Sequence, residues 1–432
     1  MSIPVQFPAT LLLVCFLVVG LPARPAGLRA AAVKVDITPQ TSQWLVGYDA
    51  RQSMGVHDRI FHRILAIDDG KTKFYLIASD LCLFSPSVYD EVVEQLEKQF
   101  GIPRRSVWWS VTHTHSAPEV GPPTIYRALL GRSNHEWSRD YASEVTAALI
   151  QGVKDVTAKL EPARVEVGSG TSVANINRRA KDVDGTVTLG LNPEGPVDRQ
   201  IGLLSFVRPD HSVIAVVANF AMHGTVLSGQ NLEISGDAPG VVASYVEEKI
   251  GATVLYVNGA AGNIAPIYSV YPTAESGHLS QFRVLLGDRI LAGLKSSLGP
   301  PKADVRLALD EIVVETPLRS GLSWPDELIR YAGANVSGAA VIRLPVRFFR
   351  INDAVIWSAP VELFCEIAMQ IRRSSPFRDT FYFGYTNGWF GYLPTRSAFA
   401  EGGYEPKTSP FTDAAERDVV QAVETKVREL KR

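Results

Sequence analysis

The sequence is poor in the features that define several broad protein classes. Only three of its 432 residues are cysteine, Cys15, Cys82 and Cys365, too few for a disulfide scaffold or a thiolate metal cluster. Lys and Arg number 43 against 45 Asp and Glu, with neither sign concentrated along the chain, so nucleic acid is not an expected partner. The absence of an internal repeat or a sustained heptad pattern argues against a solenoid or a coiled coil. No stretch carries the Pro, Gly, Ser or charge bias of a flexible linker, which favours one large domain. The early apolar run from Leu11 to Leu21 is too short to span a bilayer.

That run is followed by small residues at Ala30, Ala31 and Ala32, although no Lys or Arg precedes it. Residues 1–31 therefore read as a signal peptide and 32–432 as the mature domain, secreted or periplasmic. Cys82 and Cys365 then remain, as a pair or as two buried thiols.

What is present is ample apolar material, 46% of the residues, arranged in short continuous runs. Phe74 to Ala78, Val213 to Phe220, Ala252 to Val257 and Ala354 to Ser358 have the character of strands covered on both faces. Between them lie helical patterns. Val88 to Phe100 follows Pro86 and stops at Gly101; Phe282 to Leu298 and Thr412 to Leu430 repeat less cleanly, the last with Thr412 and Asp413 as cap candidates. This alternation predicts an α/β fold with a mixed central sheet flanked by helices, and an active site at the carboxyl ends of strands.

The chemically versatile residues fall at those ends. Val107 to Thr112 runs into His113-Thr114-His115, and in an extended chain residues two apart share a side, so both imidazoles would project together. Two such rings suit a divalent ion, or one ligand beside one proton-transfer group; the alternative is a pair of satisfied structural histidines. His223-Gly224 follows the strand ending at Phe220, with glycine allowing backbone or ligand to come close. Glu362 would open the helical stretch Val361 to Arg373, where a carboxylate is favoured by the helix dipole alone. The loop Asn258 to Asn263 could offer N–H groups to an oxyanion, or be a tight turn. The aromatic segment from Phe381 to Tyr404 could wall an apolar pocket, with Tyr392 and Tyr404 as phenols near a metal.

Several separated motifs occur together in order: Val35-Asp36-Ile37-Thr38-Pro39, Gly55-Val56-His57-Asp58, Thr112-His113-Thr114-His115-Ser116, Asn175-Ile176-Asn177-Arg178, His223-Gly224-Thr225, Ser235-Gly236-Asp237 and Gly391-Tyr392. In this the chain resembles the neutral/alkaline non-lysosomal ceramidases. The resemblance implies Zn2+ held by His113, His223, Glu362 and Tyr392, with His115, Arg178 and Tyr404 as non-ligand catalytic positions. It departs from the family at Gly262-Asn263-Ile264-Ala265-Pro266, where Ala265 stands for the motif serine and Asn263 for the acid. It also departs in length, for characterised ceramidases carry a carboxy-terminal immunoglobulin-like domain, and here one helical stretch is the last segment.

The expectation is thus a zinc-dependent hydrolase that cleaves an N-acyl amide of a lipid or small molecule, with peripheral membrane contact compatible with such a substrate. Zinc would lower the pKa of bound water to about 7, so that no serine nucleophile is needed. His115 would move protons, while Arg178 and Tyr404 orient the carbonyl. The alternatives are an esterase, or a catalytically altered lipid- or glycan-binding protein on the same scaffold. Oligomeric state is not legible.

Overall fold

The computed structural model describes residues 1, 3–4, 27–130, 136–267 and 277–432. Most of the expected signal peptide, with Cys15, lies outside them. The strand Arg29–Asp36 crosses the expected boundary after residue 31, pairing Arg29 with Asp68 and Ala30 with Ile67. Leu28, just ahead of it, is buried and donates its N–H to the Ala303 carbonyl.

The continuous apolar runs build three larger sheets. The first has the order Val107–Val111, Lys73–Ser79, Phe61–Asp68, Arg29–Asp36, Glu161–Pro162. In the second the order is Thr253–Asn258, Val213–Phe220, Gln200–Val207, Arg164–Thr171. The third runs Leu307–Pro317, Ala340–Ile351, Ala354–Ser358, Asp379–Phe383, with Ala332–Ala334 beside Ala340–Ile351. Each sheet is mixed in the same way, its antiparallel strands ending in one parallel pair at an edge. A parallel pair needs a crossover. The helices Pro86–Phe100, Asp237–Ile250 and Cys365–Ser374 supply the three crossovers. The α/β architecture therefore contains three strand–helix–strand units, one in each of its three larger sheets, with smaller two- and three-stranded ladders beside them.

Local chemistry explains the helix limits. Ser85 accepts from the Ser87 N–H, Pro86 opens the first helix, and Gly101 closes it at φ 65°, a left-handed conformation that glycine adopts without strain. The 282–298 pattern is broken by a π-helical turn at Arg283–Gly287 before Asp288–Ser296. The last helix starts at Ala415, so Thr412 and Asp413 are not its caps. Thr412 instead closes a separate turn, its carbonyl taking the Ala415 N–H.

Leu65, Trp108, Val217, Leu255, Phe349 and Phe383, drawn from all three sheets, share one apolar cluster. Their other faces are covered by helices, as in the cluster joining Phe220 and Tyr256 to Val242 and Ile290. At the carboxyl ends of the parallel pairs the sheets are joined by backbone. Thr114 bridges Gly224, Ser110 bridges Thr386, and the Gly384 N–H reaches the Asn258 carbonyl at 2.9 Å. Parallel strands end on the same side, so three such pairs can meet at one point.

Candidate metal centre

His113, His223, Glu362 and Tyr385 each lie within four residues of the end of a strand in one of these parallel pairs. His113 and His115 do converge, but not through an extended backbone. His113 has φ 63°, and its turn is held by its own N–H on the Leu81 carbonyl at 2.9 Å and by the His115 N–H on the Gly224 carbonyl at 2.8 Å. The close approach that Gly224 permits is to backbone: a Cβ there would stand 2.7 Å from the His113 oxygen. Glu362 is likewise not in a first helical turn. It pairs with Tyr392 in the two-residue parallel ladder Glu362–Leu363 with Tyr392–Leu393, and the helix begins only at Cys365. That ladder sets Glu362 and Tyr392 side by side.

The three acidic and basic groups face one another closely. Glu362 Oε2 lies 3.4 Å from His113 Nε2 and 3.1 Å from His223 Nε2. His113 Nδ1 donates to the Cys82 carbonyl at 2.9 Å, and His223 Nδ1 to the Ile264 carbonyl at 3.0 Å. With a proton fixed on each Nδ1, it is Nε2 of both rings that faces the carboxylate and is left to bind an ion. Burial, then Arg178 and His113, push His223 down to about 3. Burial alone would raise Glu362, yet His113 and His223 hold it well below the usual carboxylate range. A tetrahedral zinc with arms of about 2.0–2.1 Å separates its ligand atoms by roughly 3.3 Å. The donor set and its spacing therefore fit such an ion.

His115 adjoins this trio, its Nε2 lying 3.2 Å from His113 Nε2. Its Nδ1 is buried and has no hydrogen-bond partner among the described residues. Burial, with His113 and His223 next, lowers its pKa well below the ordinary imidazole value. The Tyr48 ring packs edge-on against it at 4.8 Å.

Arg178 enters from the strand Asn175–Lys181. Its Nη1 lies 3.0 Å from His223 Nε2, and its Nη2 donates to Tyr392 OH at 3.1 Å and to the Gly262 carbonyl at 2.9 Å. Tyr404 packs against Tyr392 with ring centres 5.7 Å apart and is 37% exposed, whereas the other six sequence-identified residues are at most 8% exposed. It is thus the member of the set that meets solvent. Burial and Glu362 raise its phenol to about 12.

Three residues were not legible as site residues. Trp389 donates its indole N–H to Glu362 Oε1 at 2.9 Å, and Tyr385 donates to Oε2 at 3.2 Å while stacking on His113 with ring centres 4.2 Å apart. The aromatic segment was the signal, but these two rings are almost fully buried and serve the carboxylate rather than an open wall. Glu405, beside Tyr404, binds Arg178 Nε at 3.0 Å and had no sequence signal.

The 258–263 loop does not present its glycine N–H groups to a ligand. Gly259 donates to the Phe220 carbonyl and Gly262 to the Leu363 carbonyl. Asn263 pins the loop to the helix Cys365–Ser374, accepting from the Cys365 N–H at 3.0 Å and donating to Glu366 at 2.8 Å. Ala265 is buried next to Ile264, the residue whose carbonyl orients His223. Cys365 is a buried thiol near Glu366 rather than the disulfide partner of Cys82. Among the described residues no helix is long and apolar enough to cross a membrane.

The family profile described as "Neutral/alkaline non-lysosomal ceramidase, N-terminal" matches residues 30–270. The chain is 23% identical to the neutral ceramidase of Pseudomonas aeruginosa across 98% of its own length and 76% of that protein's. It is 26% identical to the Mycobacterium tuberculosis neutral ceramidase over 55% of its length, spanning 38% of that relative. The crystal structure of the Pseudomonas aeruginosa neutral ceramidase superposes with a TM-score of 0.76 at 19% identity, covering 94% of this chain and 75% of that one. At that identity the superposition establishes the fold.

Proposed function

The chain belongs to the neutral/alkaline non-lysosomal ceramidase family, and from that premise we propose that it is an exported, zinc-dependent hydrolase of N-acyl amides. The observation that carries this reading is the convergence of His113 Nε2, His223 Nε2 and Glu362 Oε2, the carboxylate oxygen lying 3.4 Å and 3.1 Å from the two nitrogens, with both imidazole Nδ1 atoms spent on carbonyl oxygens. These three residues would hold the ion, with Tyr392 as a fourth ligand. When bound, zinc supplies Lewis acidity, lowering the pKa of water and polarising a carbonyl.

The remaining work falls to the chain's own side chains. His115, with one ring nitrogen facing the centre and the other without a partner among the described residues, accepts a proton from the attacking water and returns it to the departing amine. Arg178 orients the substrate carbonyl from the Tyr392 side and stabilises the charge that develops on its oxygen. Tyr404, at the exposed edge, positions the leaving portion of the substrate. Ala265 can neither attack nor hydrogen-bond, so hydrolysis proceeds by direct attack of water. A lipid or small-molecule amide fits this scheme, and peripheral membrane contact is compatible with it.

Metal analysis of the purified chain is expected to find about one zinc per chain. N-acyl hydrolysis should vanish on chelation, return with added zinc, and be absent with His223→Ala or His113→Ala. A preparation of the folded chain without stoichiometric metal refutes the reading. The alanine at 265 also supports a second reading, a binding protein that retains the ion without turnover. Retained zinc with no hydrolysis across matched acyl amides and esters would select it, and preference for the ester would make the chain an esterase.

A further inference from the structure

The placement of Arg178 raises an electrostatic difficulty. Its Nη1 lies 3.0 Å from His223 Nε2, a nitrogen that must face the ion if the centre forms. A guanidinium and a divalent cation would then share one imidazole nitrogen, in a region where Arg178, His223, Glu362 and Tyr392 are each at most 8% exposed. Like charges repel strongly where solvent screening is weak. Glu362 is a single carboxylate set against both.

Glu405 answers this from behind. It is 1% exposed, and its Oε1 receives Arg178 Nε at 3.0 Å while its Oε2 receives Arg179 Nη1 at 2.8 Å. Arg179 is further engaged by Glu401 and the Gly402 carbonyl, so its charge has a second carboxylate and does not consume Glu405 alone. The Gly262 carbonyl and Tyr392 OH hold Arg178 Nη2. Nη1 can therefore give up His223 while Nε and Nη2 keep the guanidinium in place. Without the Glu405 carboxylate, the same guanidinium would be an uncompensated buried cation next to the ion's seat.

We propose that Glu405 is a positioning residue whose negative charge lets Arg178 and a divalent cation occupy the same pocket. It acts through Arg178 and need not touch the substrate. The proposal rests on the metal reading above, and its test separates the two. Zinc dissociation constants are measured by competition with a chromogenic chelator on the full chain, with folding checked by circular dichroism.

Glu405→Gln is expected to weaken zinc binding about 10–100-fold, the scale at which groups behind metal ligands act. The double variant Glu405→Gln/Arg178→Met should recover the affinity, because removing the guanidinium removes the need for its counter-charge. Arg179→Met, which disturbs the same buried network but spares the Arg178–Glu405 pair, should lower thermal stability without weakening zinc binding. Recovery of affinity by loss of a second buried residue is not produced by a merely structural role. Unchanged affinity in Glu405→Gln, or no recovery in the double variant, overturns the proposal while leaving the metal reading intact. A wild-type chain that binds no zinc overturns both.

Discussion

Replacing Trp389 by phenylalanine tests whether Glu362 is organised as a metal ligand. The indole N–H reaches Oε1 at 2.9 Å and the Tyr385 hydroxyl reaches Oε2 at 3.2 Å, with both rings 1% exposed. A hydrogen bond to a charged, buried acceptor contributes roughly 1.5–3 kcal/mol. Part of that remains in the ion-free state, so the loss expressed in binding is smaller. Groups that orient metal ligands typically change affinity about 10–100-fold, or about 1.4–2.7 kcal/mol. Trp389→Phe is expected in that range, and Tyr385→Phe near its lower end because the bond is longer and its stacking on His113 survives. Removing an indole also removes core volume, so Trp357→Phe serves as control: Trp357 is equally buried and packs on Tyr382 at 4.3 Å, with no hydrogen bond to Glu362. Chelator competition supplies the zinc affinity, and denaturant titration the stability of each variant. Unchanged affinity in both Trp389→Phe and Tyr385→Phe refutes the reasoning, as does an equal loss in the control.

Further outcomes follow from other parts of the fold. Gly224→Ala should destabilise the chain by about 1–3 kcal/mol and release zinc together, because the added methyl meets the His113 oxygen and Thr114 Cα at 2.7 Å; a fall in urea midpoint without loss of zinc would contradict this. Asn263→Asp should be destabilising by about 1–3 kcal/mol, since it sets a second carboxylate 2.8 Å from Glu366, whose pKa burial already raises; the difference from wild type, read by denaturant titration, should be larger at pH 8 than at pH 5. His62 is buried between Ser79 Oγ at 2.6 Å and the Val145 carbonyl at 3.0 Å, and burial lowers it to about 4. Its folded-state pKa is below the unfolded value, so the unfolded chain takes up the proton first and stability is lost as pH falls from about 6.5 towards 4. The loss is roughly 3 kcal/mol, and His62→Gln should lack this part of the acid dependence; equal slopes in the two proteins would show that His62 does not contribute it.

Much of the local structure was legible because it is decided by near neighbours. The helix Pro86–Phe100 carries its own cap, its own proline and its own terminal glycine. The strands Val213–Phe220 and Ala354–Ser358 are buried over almost all their length, as continuous apolar runs imply. Where a boundary depends on distant partners, the reading from sequence went astray. Glu362 looks like a helix-opening residue because helical periodicity follows it, but the Tyr392 ladder from thirty residues away takes its backbone. His113 and His115 converge through a left-handed turn that the Leu81 and Gly224 carbonyls impose.

The candidate site divides in the same way. The types and order of its residues, two histidines after one strand, one after another, a carboxylate and a phenol further on, were set by the sequence alone, since motif spacing and side-chain chemistry are properties of the chain. Their meeting was decided by tertiary structure. Three strand–helix–strand units had to bring the carboxyl ends of their parallel pairs together, and the backbone bridges at Thr114, Ser110 and Gly384 had to join them there. So, too, Trp389, Tyr385 and Glu405 acquired their roles only on folding. A buried carboxylate or guanidinium must be satisfied by whatever polar group the packing brings within hydrogen-bond reach, and no local pattern records which one that will be.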